Sequence, residues 1–462
     1  MKNSTNKAER NWAVQPCLFS DSEPVCKSGN WKRFGGWRGL SLLLLGMIVF
    51  AIWMMPTELP LLQAFVAAKV PGPKGPGRSL PRAAGRKPSV ALDEPKIRVN
   101  VTPGGEKALT LDVRGKFRLV SLDREERFPA DLSLTQILVT STERGLKLGS
   151  RQTASSRIEI QPVDSPSIRV NGHLYRGRIR LFRRTDGQVS AVNELPLEEY
   201  LGSVVDSEMP AKFPVAARQA QAIVARTYAL YQIEHVDSKA VFDLHSSQRS
   251  QKYLGVEYRD AAGRRLAGES QSSRAAVQET RGMVCTWKNQ VFCTYYSAVC
   301  GGRTTDGREV FKDAAELLKS VPCEWCSESP HYRWTTEISR EEFQRRAFRS
   351  GSNSKKNLTI RALHQIKEPG RGGISRFELD AGDQRPAVSG VELRDRLPAG
   401  TLHSPHFHAK LEKERVIFEG RGHGHGVGFC QWGAKGMAET GRTTAEILDH
   451  YFPGVDLIAL DY

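Results

Sequence analysis

Between Ile97 and Val192, apolar and polar residues alternate in short runs. Examples are Ile97-Arg-Val-Asn-Val, Ala108-Leu-Thr-Leu-Asp-Val, Ile158-Glu-Ile, Ile168-Arg-Val and Arg178-Ile-Arg-Leu-Phe. A period of two puts successive side chains on opposite faces, which is the mark of a strand. Asn171-Gly172 and Asp186-Gly187 are dipeptides that tight hairpins favour. The stretch predicts a mostly antiparallel β region. The period then changes. Leu197, Leu201, Val204 and Val205 fall at i, i+4, i+7 and i+8, one face of a helix over 196–209. Pro196 suits the first helical position and Pro210 helps to end the helix. A second helix is predicted from Pro214 to about His235, with Ala216, Ala220, Ile223, Val224 and Leu230 inward. Mixed segments follow, and a last helix lies near Thr443–Tyr451. The fold class is α+β, with no internal repeat.

The N-terminal part reads differently. Leu40–Met55 is a 16-residue apolar run, preceded by Lys27, Lys32, Arg33 and Arg38. It is short of the roughly 20 residues that span hydrocarbon, but more apolar sequence follows Pro56-Thr57 through Val70. Basic residues before an apolar run fit export with the N-terminus inside. No small-x-small cleavage site is evident, so an uncleaved signal anchor is expected. The segments are then a polar, disordered cytoplasmic stretch (1–39), the anchor (40–70) and a Pro/Gly-rich linker (71–92). A β-rich part (93–195) and a mixed α/β part (196–462) follow. The chain belongs in this reading to the cell envelope, its folded part outside the cytoplasm.

Charge supports that picture. Of the net +16, residues 1–90 carry +9, so the excess sits in leader and linker rather than in a compact nucleic-acid face. No nucleic-acid partner is expected. Cys17 and Cys26 would face the reducing cytoplasm. Cys285, Cys293, Cys300, Cys323, Cys326 and Cys430 would lie outside, where disulfides persist. Cys323-Glu-Trp-Cys326 has metal-ligand spacing, and Cys300 and Cys430 could complete a four-thiolate zinc site. Disulfides such as Cys300–Cys326 and Cys285–Cys293 are the competing reading.

Asp206-Ser-Glu208-Met-Pro210 ends the first predicted helix. A carboxyl group there meets the negative end of the helix dipole, which disfavours ionisation. In an apolar cleft its pKa would rise further, and a protonated carboxyl near neutral pH can donate to a glycosidic oxygen. A solvated helix end fits the spacing as well. The next helix carries Gln219, Gln221, Arg226, Thr227 and Tyr228; Arg226 either orients a carboxylate or forms a buried structural ion pair. Arg421-Gly-His423-Gly-His425-Gly-Val-Gly lets the backbone turn tightly, and its two histidines could bind metal, meet sugar hydroxyls or hold the loop.

Together these blocks resemble the stage II sporulation protein D (SpoIID) family, which includes the amidase enhancers. The resemblance rests on Val192-Asn-Glu-Leu-Pro-Leu-Glu-Glu-Tyr-Leu201, Val204-Val-Asp-Ser-Glu-Met-Pro210 and Ala220-Gln-Ala-Ile-Val-Ala-Arg-Thr-Tyr228. Tyr296-Ser-Ala-Val-Cys-Gly-Gly-Arg303, Gly422-His-Gly-His-Gly-Val-Gly428 and Gln431-Trp-Gly-Ala434 extend it. It implies a SpoIID-type catalytic domain with a groove between lobes, and a peptidoglycan lytic transglycosylase with Glu208 as its acid and base. It also implies substrate contacts from Gln221, Arg226, Tyr228, Ser297, His423, His425 and Gln431. The implied partners are glycan strands, the membrane through the anchor, and a cell-wall amidase in the alternative reading of a non-catalytic activator. No cofactor is required by the sequence. Zinc-binding members carry Cys, His and Cys after the second helix, where this chain has His245, Arg249 and Ser250. A structural zinc here would fall to the 300/323/326/430 cysteines instead.

Overall fold

The computed structural model describes residues 68–69, 93–164, 167–348, 359–367 and 373–462. Segment 1–39, the apolar run Leu40–Met55 and the linker 71–92 lie outside these residues. No helix among the described residues is long and apolar enough to cross a membrane. Ala68–Lys69, just ahead of the linker, pairs with the last strand, Asp456–Ala459.

The alternating segments form strands where the pattern puts them: Lys96–Asn100, Ala108–Arg114, Arg157–Pro162, Ser167–Val170 and Arg178–Arg183. Ala108–Arg114 shows why. Leu109, Leu111 and Val113 are buried while the residues between them are exposed or partly so. A one-residue slip would turn all three into water. Asn171 and Gly172, both at positive φ, turn Ser167–Val170 back on His173–Tyr175. Two sheets result. One runs 244–245, 96–100, 189–196, 178–183, 157–162, 117–121; the other runs 265–267, 257–259, 173–175, 167–170, 108–114, 137–141, 146–148, 151–152. Their inward residues share one core with the first helix. Three strands that follow the second helix return to these sheets, so the β part is not closed at residue 195. Leu244–His245 is the parallel exception among antiparallel neighbours.

The helices are α1 (Leu197–Glu208), α2 (Val215–His235), α3 (Gln271–Glu279), α4 (Arg340–Ala347), α5 (Gly390–Arg396), α6 (Gln431–Glu439) and α7 (Thr444–Tyr451). Pro196 and Pro214 stand at the N-caps of α1 and α2, one place earlier than the sequence reading put them. α2 is not an amphipathic surface helix. Every residue from Ala220 to Leu230 is buried, because α1, α3, α6, α7 and the strand Met283–Trp287 all pack on it. A second core lies on the α6–α7 side of α2. A third core, around Phe343, Phe377, Phe407 and Phe418, belongs to a lobe of α4, α5 and two three-stranded sheets between residues 333 and 421. The span 196–462 is therefore a helical core plus a separate small lobe.

Burying α2 on all sides buries its polar residues, and each cation there has a partner. Arg226 makes two bonds to Glu198 at 2.8 and 2.7 Å and donates to the carbonyls of Met283 and Val277. Burial alone would push the Glu198 carboxyl up, but the charge and hydrogen bonds of Arg226, with help from Tyr462 and the Gly282 amide, hold it below the usual range. Removing one partner of such a pair strands the other. Arg226→Met is expected to cost about 3–5 kcal/mol in urea unfolding, and Glu198→Gln in the same chain should recover part of that. A loss under about 1 kcal/mol, the value of an exposed pair, would show that the pair is solvated.

Candidate active site

Glu208 is the final residue of α1; the Met209 amide bonds to the Val205 carbonyl and closes the helix. Two other acids on the same helix are neutralised by arginines of α2. Glu198 is held by Arg226, and Asp206 by Arg218 at 2.9 Å with Ser270 Oγ at 2.7 Å. Glu208 has no such partner among the described residues. Its Oε1 accepts the Lys252 backbone N–H at 2.8 Å. Its Oε2 lies 3.5 Å from Gln431 Nε2, which also donates to Gln221 Oε1 at 3.2 Å. Burial pushes this carboxyl above its ordinary range. The Lys252 amide, the Tyr296 hydroxyl, Gln431 and the Lys252 charge pull the other way without cancelling the rise. A buried carboxyl without an ion-paired cation is one that keeps its proton to higher pH.

Four segments meet at this acid. α1 brings Glu208, α2 brings Gln221 and Tyr228, and α6 brings Gln431 at its first position. The strand Tyr296–Ser297, paired in parallel with Phe429–Cys430, brings Tyr296. Tyr296 Oη and Gln221 Nε2 are buried and close no hydrogen bond of normal geometry among the described residues. A buried polar group left so costs about 1–3 kcal/mol, and such groups gather where a ligand is handled. The Tyr228 ring stands 6.5 Å from that of Tyr296.

Other expected site residues are elsewhere. Arg226 is fully buried and spends its donors on Glu198 and two carbonyls, so it fastens α1 to α2 and does not face a ligand. Ser297 Oγ has no hydrogen-bond partner among the described residues, but its side chain lies against Gly424, where an added Cβ would come within 3.0 Å of Ser297 Cβ. His425 accepts the Val427 amide on Nδ1 and packs its ring on Phe311 and Tyr295. It holds the glycine loop, one of the three roles its spacing allowed. The His423 ring sits between His331 and His403 at 5.2 and 5.3 Å, toward the 333–421 lobe. Burial brings both His423 and His425 down to about 3, so neither supplies positive charge at neutral pH. The glycines of this loop are required: Gly428 has φ of 69°, and a Cβ there would strike the Tyr295 carbonyl at 2.2 Å.

An open cavity of about 230 Å³ lies between α1 and α3, lined by Glu198, Glu199, Glu269, Arg176, Arg274 and Arg281. It stands at the other end of α1 from Glu208, so it is not the groove expected beside the acid.

The metal positions that the resemblance offered after α2 do not fit. His245 packs on Phe242 at 4.8 Å, Arg249 has no lone pair to give, and Ser250 Oγ accepts the His245 amide. The expected disulfides are not formed either. Cys300 Sγ and Cys326 Sγ are 3.7 Å apart, against about 2.05 Å for a bond. Cys285 and Cys293 are also unbridged. Cys300, Cys323, Cys326 and Cys430 instead bring their sulfurs together, all within 4.8 Å of one another.

Comparison with known proteins agrees with the motif reading. The profile described as SpoIID, stage II sporulation protein, matches residues 185–287, which span α1, α2 and Glu208. An uncharacterised protein of Brachyspira hyodysenteriae is 29% identical over 78% of this chain and 92% of its own length. Stage II sporulation protein D of Bacillus amyloliquefaciens is 28% identical over 67% of this chain and 82% of its own. An amidase enhancer of Bacillus subtilis is 22% identical over 56% of this chain and 40% of its own.

A raised carboxyl carries a sign that can be checked. Its protonated form is preferred in the fold, so its contribution is fully present below the unfolded value near 4.3 and lost as pH rises through the folded value. Glu208→Gln should therefore melt level with wild type near pH 4 and above it at pH 7–8. Equal melting temperatures across that range would mean that the carboxyl is solvated.

Proposed function

Taking this chain as one of the stage II sporulation protein D family, with a role in the cell wall, we propose that it is a peptidoglycan lytic transglycosylase with Glu208 as the only catalytic carboxyl. The observation that carries the reading is the contrast on α1: Glu198 and Asp206 are ion-paired to arginines and Glu199 lines the cavity at the far end, while the hydrogen bonds to Glu208 come from a backbone amide and a side-chain amide.

Protonated Glu208 donates to the oxygen linking N-acetylmuramic acid to N-acetylglucosamine, and the bond to C1 breaks. The carboxylate left behind takes the proton of the C6 hydroxyl of the same muramic acid, whose oxygen closes onto C1. The products are a 1,6-anhydro end and a free N-acetylglucosamine end. No water is consumed, and Glu208 is protonated again. Because the nucleophile belongs to the sugar, a second carboxylate is not needed, unlike in ordinary glycoside hydrolysis. Gln431, Gln221, Tyr228 and Tyr296 are the groups placed to meet the sugar. An export anchor at 40–70 would put this chemistry in the envelope.

Likeness to a protein named amidase enhancer supports a second reading, a non-catalytic wall-binding activator of an amidase. Purified glycan strands separate the two. Wild type should release anhydro-muramic ends and Glu208→Gln should do so at least about 100-fold more slowly. Intact strands from wild type, with faster turnover of an added amidase, would support the activator and end the catalytic proposal.

A further inference from the structure

The four-cysteine cluster is unused by the chemistry at Glu208. Its members come from three separated parts of the chain. Cys300 follows the strand Tyr296–Ser297, Cys323 and Cys326 flank a tight turn at Glu324–Cys326, and Cys430 caps α6. All four are at most 1% exposed, inside the second core. Their sulfurs are too far apart for disulfides, yet they all converge on one point.

The spacing matches a tetrahedral ion. Zinc–sulfur bonds of about 2.3 Å give sulfur–sulfur edges of about 3.8 Å, and Cys300 to Cys326 is 3.7 Å. Backbone amides also face one of these sulfurs. Cys430 Sγ faces the amides of Cys300 at 3.3 Å and Gly433 at 3.4 Å. Gly301 and Gly302, both at positive φ, turn the chain sharply after Cys300. Gly433 leaves room that a Cβ would fill, since it would come within 2.5 Å of Cys323 Sγ. Amide donors and small residues around thiolates are the outer shell that metal ligands need.

We propose that Cys300, Cys323, Cys326 and Cys430 form a tetrathiolate site for one divalent zinc ion that clamps the strand of Tyr296 and the start of α6 beside Glu208. Binding replaces four thiol protons with the ion, and all four positions are filled by protein. The site is therefore closed and structural, with no place for water or substrate on the metal. Its leverage on the chemistry comes from sequence adjacency: Cys430 precedes Gln431, the residue that reaches the Glu208 carboxyl.

Metal analysis of the purified full chain tests this without reference to activity. About one zinc per chain is expected, together with four sulfurs that resist alkylation until the protein is unfolded with a chelator. Cobalt in place of zinc should give the intense visible absorption of tetrahedral thiolate coordination. Cys326→Ser, checked for folding by circular dichroism, should hold zinc at least about 100-fold more weakly, since even outer-shell changes cost about 10–100-fold. If that variant does not fold, the wild-type zinc content and thiol protection decide alone. A folded, metal-free wild type with four reactive thiols, or a mass showing disulfides among these cysteines, would overturn the proposal.

Discussion

The arrangement turns on the unequal treatment of three of the four acids on one helix. α1 carries Glu198, Asp206 and Glu208 into partly buried surroundings. Taking a carboxylate out of water costs several kcal/mol unless a cation or strong donors compensate. α2 supplies Arg226 to the first and Arg218 to the second. The third receives one backbone amide and a side-chain amide at the limit of hydrogen-bond reach. Two acids are thereby tied to arginines and serve packing. Glu208, without such a partner, keeps its proton more readily.

The rest of the fold makes that inequality hold. The β sandwich seats the start of α1 through the strand Val189–Pro196. The burial of α2 on all sides fixes both arginines against their acids. Segments more than 200 residues away then close the opposite wall, because α6 delivers Gln431 to the same carboxyl. That wall is short of regular structure: a two-residue parallel pairing, a loop of alternating glycines and the cysteine cluster. A metal clamp is the kind of device that such a wall needs.

Much of the scaffold was legible in the sequence. Period-two runs gave five strands, Asn171-Gly172 gave a hairpin, and Pro196 and Pro214 marked the starts of α1 and α2 to within a residue. The all-round burial of α2 was not legible, since Ala, Thr and Gln positions look surface-compatible until the neighbours are known. For Arg226 the spacing leaves a carboxylate-orienting role and a buried ion pair open, and only the resemblance assigns it to substrate; the ion pair is what forms, with Glu198, ten residues from Glu208. Tyr296 stood in a quoted motif beside Ser297, but which of two adjacent side chains in a strand faces the acid depends on pairing with Phe429–Cys430. For Glu208, spacing allowed an idle helix end as readily as an acid, and motif resemblance raised it above that. The cysteine spacing offered metal and disulfides alike, and only three dimensions bring the four sulfurs within 4.8 Å of one another without a disulfide.

The central claim is that the Glu208 carboxyl holds its proton above the range of an ordinary glutamate. Carbon-13 NMR of side-chain-labelled glutamate, with Glu208→Gln to identify the resonance, reads that property at the atom concerned. The account predicts a titration midpoint clearly above the 4.3 of a model peptide, while Glu198 in the same spectrum titrates below it. A Glu208 midpoint at or under that value would contradict the account.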